Sequence, residues 1–404
     1  MRARRRRRGL VALAALGATT LVWPRASRAT PDADLVAALD AAGGADVVAF
    51  ELPAAAHAPR VRGATITRAS VATIVAVFGD PGRFGALIPS LVRAEEIGRR
   101  GDARVVAWEL EVPLFNLSGT MELRPRTGGV ELALTEGDLS PGRIVLEAAP
   151  RADGRTTLTI DARLDVARSS FFLRHVMARS AYGEPAALAA AAFVALRATA
   201  LRAEHVGDAT AYRPNATAPP SPSTPGAPDG HVLFAPAFAP LAARGAVAVV
   251  NVAPTGRLAS AAVAVATSEP ATALAARLAD PRSWRAFPGW RHIQPMPPSA
   301  TSPATVIVED AIPFVDFDAT WRAEPAPRAR WWTAIEGAAR GAWFGWEVAP
   351  SARPTEAVLA MSPRLTAMGS IPRRFVEAEP LLEHGLTLAL AFVDAVSSTH
   401  GGEP

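Results

Sequence analysis

Phe78-Gly79-Asp80-Pro81-Gly82-Arg83-Phe84 returns 200 residues later as Leu278-Ala279-Asp280-Pro281-Arg282-Ser283-Trp284, with Asp-Pro and the closing aromatic in the same places. Working outward, the same shift carries Pro113 to Pro313, Pro125 to Pro325, Glu136-Gly137 to Glu336-Gly337, Ala149-Pro150 to Ala349-Pro350 and Arg174 to Arg374. Matches in this order point to an internal duplication. The shift is far longer than a solenoid period, so each copy is predicted to be a whole domain. Between the copies, Arg213 to Gly230 is dense in Pro, Ser, Thr and Gly and reads as a semi-rigid linker. The two domains are then residues 31–212 and 231–404.

Within the first copy the hydrophobic period changes in an informative order. Val47 to Leu52 and Val61 to Arg68 read as a hairpin of strands. Val71, Ile74, Val75 and Phe78 then fall at helical spacing and stop at the turn Gly79-Asp80-Pro81-Gly82. Strand alternation follows: Val106, Trp108, Leu110 and Val112; Met121 and Leu123; Val130, Leu132 and Leu134; Ile144 and Leu146; Leu158, Ile160, Ala162 and Leu164. One wet and one apolar face on each strand predicts an antiparallel sheet covered on one side. The cover is expected from an alanine-rich helix, Pro185 to Glu204, that opens at a proline. In the second copy the last helix is expected from about Pro380, with Leu382, Leu386, Ala389, Val393 and Val396 on one stripe. The fold class is α+β.

The first 29 residues are a separate unit. Arg4 to Arg8, the apolar run Gly9 to Val22 and the small-x-small site Ser27-Arg28-Ala29 have the order of a secretory signal peptide. The chain is therefore expected in the periplasm or outside the cell, or anchored to the membrane if the signal stays uncleaved. This leader also holds eight arginines and no acid, so the formal charge of +4 becomes −4 for residues 30–404. The high isoelectric point is thus no sign of nucleic-acid binding. No lysine occurs, which excludes Walker A, Schiff-base and S-x-x-K chemistry. No cysteine occurs, which excludes thiol nucleophiles, disulfides and thiolate metal sites. The histidines show no H-E-x-x-H or short ligand spacing, and G-x-S-x-G and G-x-G-x-x-G are absent. No cofactor is expected.

The element order, with Val47-Val48-Ala49-Phe50-Glu51, Val61-Arg62-Gly63-Ala64, the two Asp-Pro segments and the following Ile88-Pro89 and Phe287-Pro288, resembles the START-like superfamily of polyketide cyclases and Bet v 1. Where many bacterial relatives carry Arg-Asp after the proline of the central hairpin, this chain has Asn116-Leu117-Ser118-Gly119 and Asp316-Phe317-Asp318-Ala319. The resemblance implies two tandem helix-grip domains, each a curved sheet wrapped around its long last helix and enclosing an apolar cavity. It also implies a hydrophobic small molecule or lipid as partner.

The inward positions of the first copy, Trp108, Leu110, Met121, Leu123, Leu132, Leu146 and Ile160, are the first candidate ligand contacts. They serve equally as ordinary core. Seven of the nine tryptophans fall in the second copy, and Trp321, Trp332 and Trp346 inherit the inward positions of Met121, Leu132 and Leu146. Their rings could wall a pocket for a flat ligand, fill the core, or cement the two domains. The same shift puts Asp310 at the position of Leu110 and Arg330 at that of Val130, so an internal acid–arginine pair is conceivable, although a one-residue slip would turn Asp310 outward. Glu136 and Glu336, each before a glycine, fit a strand-end turn better than paired acid catalysis. The favoured reading is an exported carrier of a lipid, sterol or quinone-like molecule, a role with which transient membrane contact is compatible. The alternatives are a cyclase or aromatase using Asp310 and Arg330, or His175 and Tyr182, and an interaction scaffold with filled cavities.

Overall fold

The computed structural model describes residues 32–51, 59–84, 91–112, 115–165, 183–205, 229–252, 258–286, 290–296, 298, 304–310, 319–324, 330–337, 340–350 and 357–364, with positions 385, 388, 389, 391, 392, 395, 396 and 399 of a last helix. The signal segment and nearly all of the expected linker lie outside these residues. The chain is α+β. Helix α1 (Ala33–Ala41) precedes strands β1 (Asp46–Glu51) and β2 (Arg60–Thr67). Helix α2 (Val71–Phe78) follows, then a meander of β3 (Leu91–Arg100), β4 (Ala103–Val112), β5 (Phe115–Arg126), β6 (Gly129–Gly137), β7 (Gly142–Pro150) and β8 (Thr156–Leu164), and then α3 (Gly183–Glu204). The plan then repeats with α4 (Ala239–Arg244), β9 (Gly245–Val252), β10 (Leu258–Thr267) and α5 (Ala271–Ala279). The second meander is β11 (Trp290–Met296), β12 (Thr305–Asp310), β13 (Ala319–Glu324), β14 (Arg330–Gly337), β15 (Trp343–Pro350) and β16 (Ala357–Arg364).

The recurring residues have local jobs. Ser70 caps α2 by accepting from the Thr73 amide at 3.1 Å. Asp80 accepts from the Gly82 amide and Asp280 from the Arg282 amide, both at 3.0 Å, while Pro81 and Pro281 open the short 3₁₀ turns that follow. Glu136-Gly137 and Glu336-Gly337 recur because both copies break register at one point, between Thr120 and Met121 and between Thr320 and Trp321. Gly137 and Gly337 lie two residues past the unpaired positions, Thr135 and Ile335, on the same strands at φ 85° and 93°, where a side chain is strained. Thr67 and Thr267 tie the terminal helices down. Thr67 donates to Glu204 Oε1 at 2.7 Å, and Thr267 to the Thr399 carbonyl at 3.3 Å.

The two copies share one sheet. Its order is β11-β12-β13-β14-β15-β16-β10-β9-β1-β2-β8-β7-β6-β5-β4-β3, 16 strands in all, each paired antiparallel to its neighbours. The join is β1 against β9, and its register centres on Val48 opposite Ala248. Equivalent residues of the duplication therefore face each other, as in an isologous two-fold contact. The joint explains why β1 and β9 are apolar without alternation: they are covered on both faces. On one face Leu35, Leu39, Phe238 and Leu241, from α1, α4 and the turn before α4, pack on Val47, Ala49, Val247 and Val249. On the other face a single core runs through both copies and includes α3 and the last helix. There Phe50 meets Phe392 with ring centroids 4.8 Å apart, and a Cβ on Gly385 would lie 3.1 Å from Val194.

Two departures from the sequence reading follow from this packing. Helix α3 begins at Gly183 rather than Pro185. On the last helix the described buried positions are Gly385, Leu388, Ala391, Phe392, Ala395 and Val396, while Ala389 is only partly covered and Leu382, Leu386 and Val393 lie outside the described residues. That helix is pressed by both the sheet and α3, so its buried face differs from a stripe meeting a sheet alone. Beside the joint, Asp46 is buried, accepts from the Thr65 hydroxyl and faces Arg197 at 3.5 Å. Burial pushes its carboxyl above the usual range, against the opposing pull of Arg197 and Thr65.

Candidate functional site

Alternation places the first-copy candidates on the concave face. Trp108 on β4, Met121 and Leu123 on β5, Leu132 on β6, Leu146 on β7 and Ile160 on β8 are all buried in the continuous core, with Leu110 partly buried against it. Helix α2 roofs this face with Ile74, Val77 and Phe78, and Phe84 closes the turn behind it. These four were not singled out from sequence as ligand contacts, although the helical spacing and the Asp-Pro motif flanked them. Helix α3 lies against β1, β2 and β8. It comes close at Gly63, where an added Cβ would be 3.1 Å from Ile160 and 3.2 Å from Leu196. Strands β4 to β8 thus contribute aliphatic side chains, one thioether and one indole, with Phe78 and Phe84 over them.

The second copy has the same frame with a different filling. Trp321, Trp332 and Trp346 do lie on the concave face and are buried. They close around Trp284, which is 0% exposed and donates its indole N–H to the Leu278 carbonyl at 3.0 Å. Trp284 meets Trp332 at 4.7 Å, Phe344 at 5.3 Å and Trp346 at 5.7 Å, all near edge-to-face. Phe344 in turn meets Trp321 at 4.9 Å and Trp346 at 5.9 Å. Ring surfaces that a flat ligand would need are engaged by other rings of the same cluster, in geometries that favour aromatic pairs. Trp331 and Trp343 pair separately at 5.0 Å outside this core, with the Trp331 ring over Gly345. Trp284 stands 200 residues after Phe84, and that correspondence was the signal that it would be central.

Asp310 and Arg330 are not brought together. Asp310 shares strand parity with buried Val306 and Val308, and Arg330 with buried Trp332 and Ala334. Their heights along the sheet differ. Val308 pairs with Ala319, and Trp331 with Glu324, on opposite sides of β13. Asp310 follows Val308 and Arg330 precedes Trp331, so they lie beyond Ala319 and Glu324 in opposite directions, separated by more than roughly 16 Å along the strand direction at about 3.3 Å per residue. A 200-residue correspondence fixes a face but carries no information about height. His175 and Tyr182 lie outside the described residues. Among the described residues no group of three or more His, Asp or Glu side chains is placed to hold a metal ion.

No family model and no curated protein matches the chain. Among solved structures it is similar to the di-domain ARO/CYC StfQ from the steffimycin biosynthetic pathway, at 10% identity over 82% of this chain and 98% of that one, with a TM-score of 0.29. It is similar to a STAR-related lipid transfer protein fragment from Xanthomonas axonopodis, at 14% identity over 39% of this chain and 93% of that one, TM-score 0.29. A third is a protein from Thermus thermophilus, TTHA0849, at 11% identity over 37% of this chain and all of that one, TM-score 0.32. At these scores the likenesses add nothing to the register and element order described above.

Proposed function

We propose that the chain is an exported carrier that binds one hydrophobic small molecule or lipid in the grip of its first copy. The observation that carries this reading is the contrast between the two concave faces. In the first copy Met121, Leu123, Leu132 and Leu146 can rotate aside for a guest, and such apolar surface gains about 25 cal/mol for each Å² removed from water. In the second copy the equivalent volume is held by rings in mutual contact. Export is supported by the order of charge, apolar run and small residues over positions 1–29. The ladders separate Asp310 from Arg330, which weighs against a cyclase built on that pair, since acid–base chemistry needs groups that meet.

The test is mass spectrometry of organic extracts from residues 30–404 purified from the native compartment. A hydrophobic molecule at one equivalent per chain is the expected result. A protein that is empty and also ignores a panel of fluorescent lipids would overturn the reading.

A further inference from the structure

Buried donors without acceptors are uncommon, because an unmade hydrogen bond in the interior costs more than a made one returns. Trp108 is such a case. It is 6% exposed, and its indole Nε1 has no hydrogen-bond partner. Trp332 also has a buried unpartnered Nε1, but its ring is held in a T-shaped contact with Trp284 at 88°. The Trp108 ring instead lies beside bare backbone. It stands opposite Gly119 on β5, where an added Cβ would come within 3.2 Å of ring atom Cζ2. One step further along β5 on the same face is Met121, a diagonal neighbour with three rotatable bonds. In the second copy these positions hold Val308, Ala319 and Trp321, so the indole stands on β13 rather than β12 and the bare backbone does not recur.

From this arrangement we infer that Trp108 selects the cargo by polarity: its indole N–H donates to a carbonyl, ether or hydroxyl oxygen on an otherwise apolar molecule bound in the first copy. The inference rests on the carrier reading. The N–H is packed too tightly for solvent to reach, so the acceptor arrives with the guest as Met121 swings away. A purely hydrocarbon guest would leave the donor stranded. A guest with one oxygen at this point repays its own dehydration, and the site thereby discriminates between molecules of nearly equal shape.

The test uses 2-acetylnaphthalene and 2-ethylnaphthalene, which differ chiefly in one carbonyl oxygen, with the mature chain and its Trp108→Phe variant. Titration by calorimetry gives the acetyl-to-ethyl affinity ratio for each protein. We expect that ratio to fall about tenfold in Trp108→Phe, with the ethyl compound bound nearly as before, since one hydrogen bond at a buried donor is at stake. A ratio unchanged by the substitution would overturn the role of Trp108 while leaving the carrier reading standing. If neither compound binds the unaltered chain, this inference falls, while the carrier reading stands or falls on the extraction and the lipid panel. Should Trp108→Phe fail to fold, ¹⁵N-indole spectra of the unaltered protein decide instead. One buried indole proton should move downfield with the acetyl compound alone, and no such movement would refute the proposal.

Discussion

Replacing Trp284 with alanine separates a filled second copy from a ligand chamber. In the structure this indole is fully buried, bonds the Leu278 carbonyl at 3.0 Å and touches three other rings between 4.7 and 5.7 Å. Truncating a buried tryptophan costs about 3–5 kcal/mol through lost transfer free energy and the cavity left behind. The stranded Leu278 carbonyl and lost ring geometry belong to the same event, so they push the value toward the top of that range, about 4–5 kcal/mol, rather than adding in full. Trp284→Phe keeps most of the ring contact and loses the hydrogen bond, for about 1–2 kcal/mol. Urea unfolding of residues 30–404 measures both, and a domain stability of about 5–15 kcal/mol makes the larger loss easy to see. If the first copy carries the cargo, affinity per native molecule stays within about twofold of the unaltered chain, less than 0.5 kcal/mol. A stability loss below about 1.5 kcal/mol together with altered ligand affinity would refute the filled reading, because a chamber wall has less packing to lose than a core.

Asp80→Ala and Asp280→Ala each remove one turn cap, and thermal unfolding should show losses of about 1 kcal/mol that add in the double variant; a loss at only one would contradict their equivalence. Residues 32–205 made alone should self-associate in sedimentation experiments, because β1 becomes an open apolar edge; a stable monomer would contradict the shared-sheet account. Asp46 holds its proton more strongly folded than unfolded, so its contribution is present below the ordinary value of 3.8 and is lost as pH rises through the raised one. Urea midpoints of Asp46→Asn should therefore gain on the unaltered chain as pH rises from 4 toward neutrality, and a gap that narrows would reverse the sign.

The faces of the strands were legible in the sequence because side chains alternate with a period of two. Trp108, Met121, Leu132 and Trp332 are buried on the expected face for that reason alone. Height along the sheet was not legible. The distance between Asp310 and Arg330 depends on hairpin register, which one bulge resets and which the duplication copies without stating. The joint between copies did leave a trace. Val47 to Phe50 and Ala246 to Val250 are continuous apolar runs, the pattern of strands covered on both faces, whereas strands such as β4 and β6 alternate. Helix α1 was missed although Asp32 precedes it and caps the Asp34 amide at 3.0 Å. Strand β3 was missed because nearly all of it is exposed, so burial imposes no period on its residues.

The placement of the joint has a physical logic in the edges it leaves. Each copy alone would present its first strand as a flat apolar edge, the kind that templates aggregation. Pairing β1 with β9 buries both edges at once and leaves β3 and β11 as the outer strands. These are defended. β3 carries exposed Arg93, Glu95, Glu96, Arg99 and Arg100 and shifts register twice, while β11 carries Pro295 and a shift of its own. The shared sheet also joins the two interiors into one core, so packing in one copy supports the other. A copy whose inner wall must yield to a guest cannot also be packed at its stiffest, since rotatable side chains that admit a ligand forgo locked contacts. Fusing it to a copy filled by five mutually packed rings supplies rigidity from outside the binding wall. If the first copy carries the cargo, the duplication is more than a doubling of sites: that copy keeps the plasticity binding needs, and its twin keeps the fold.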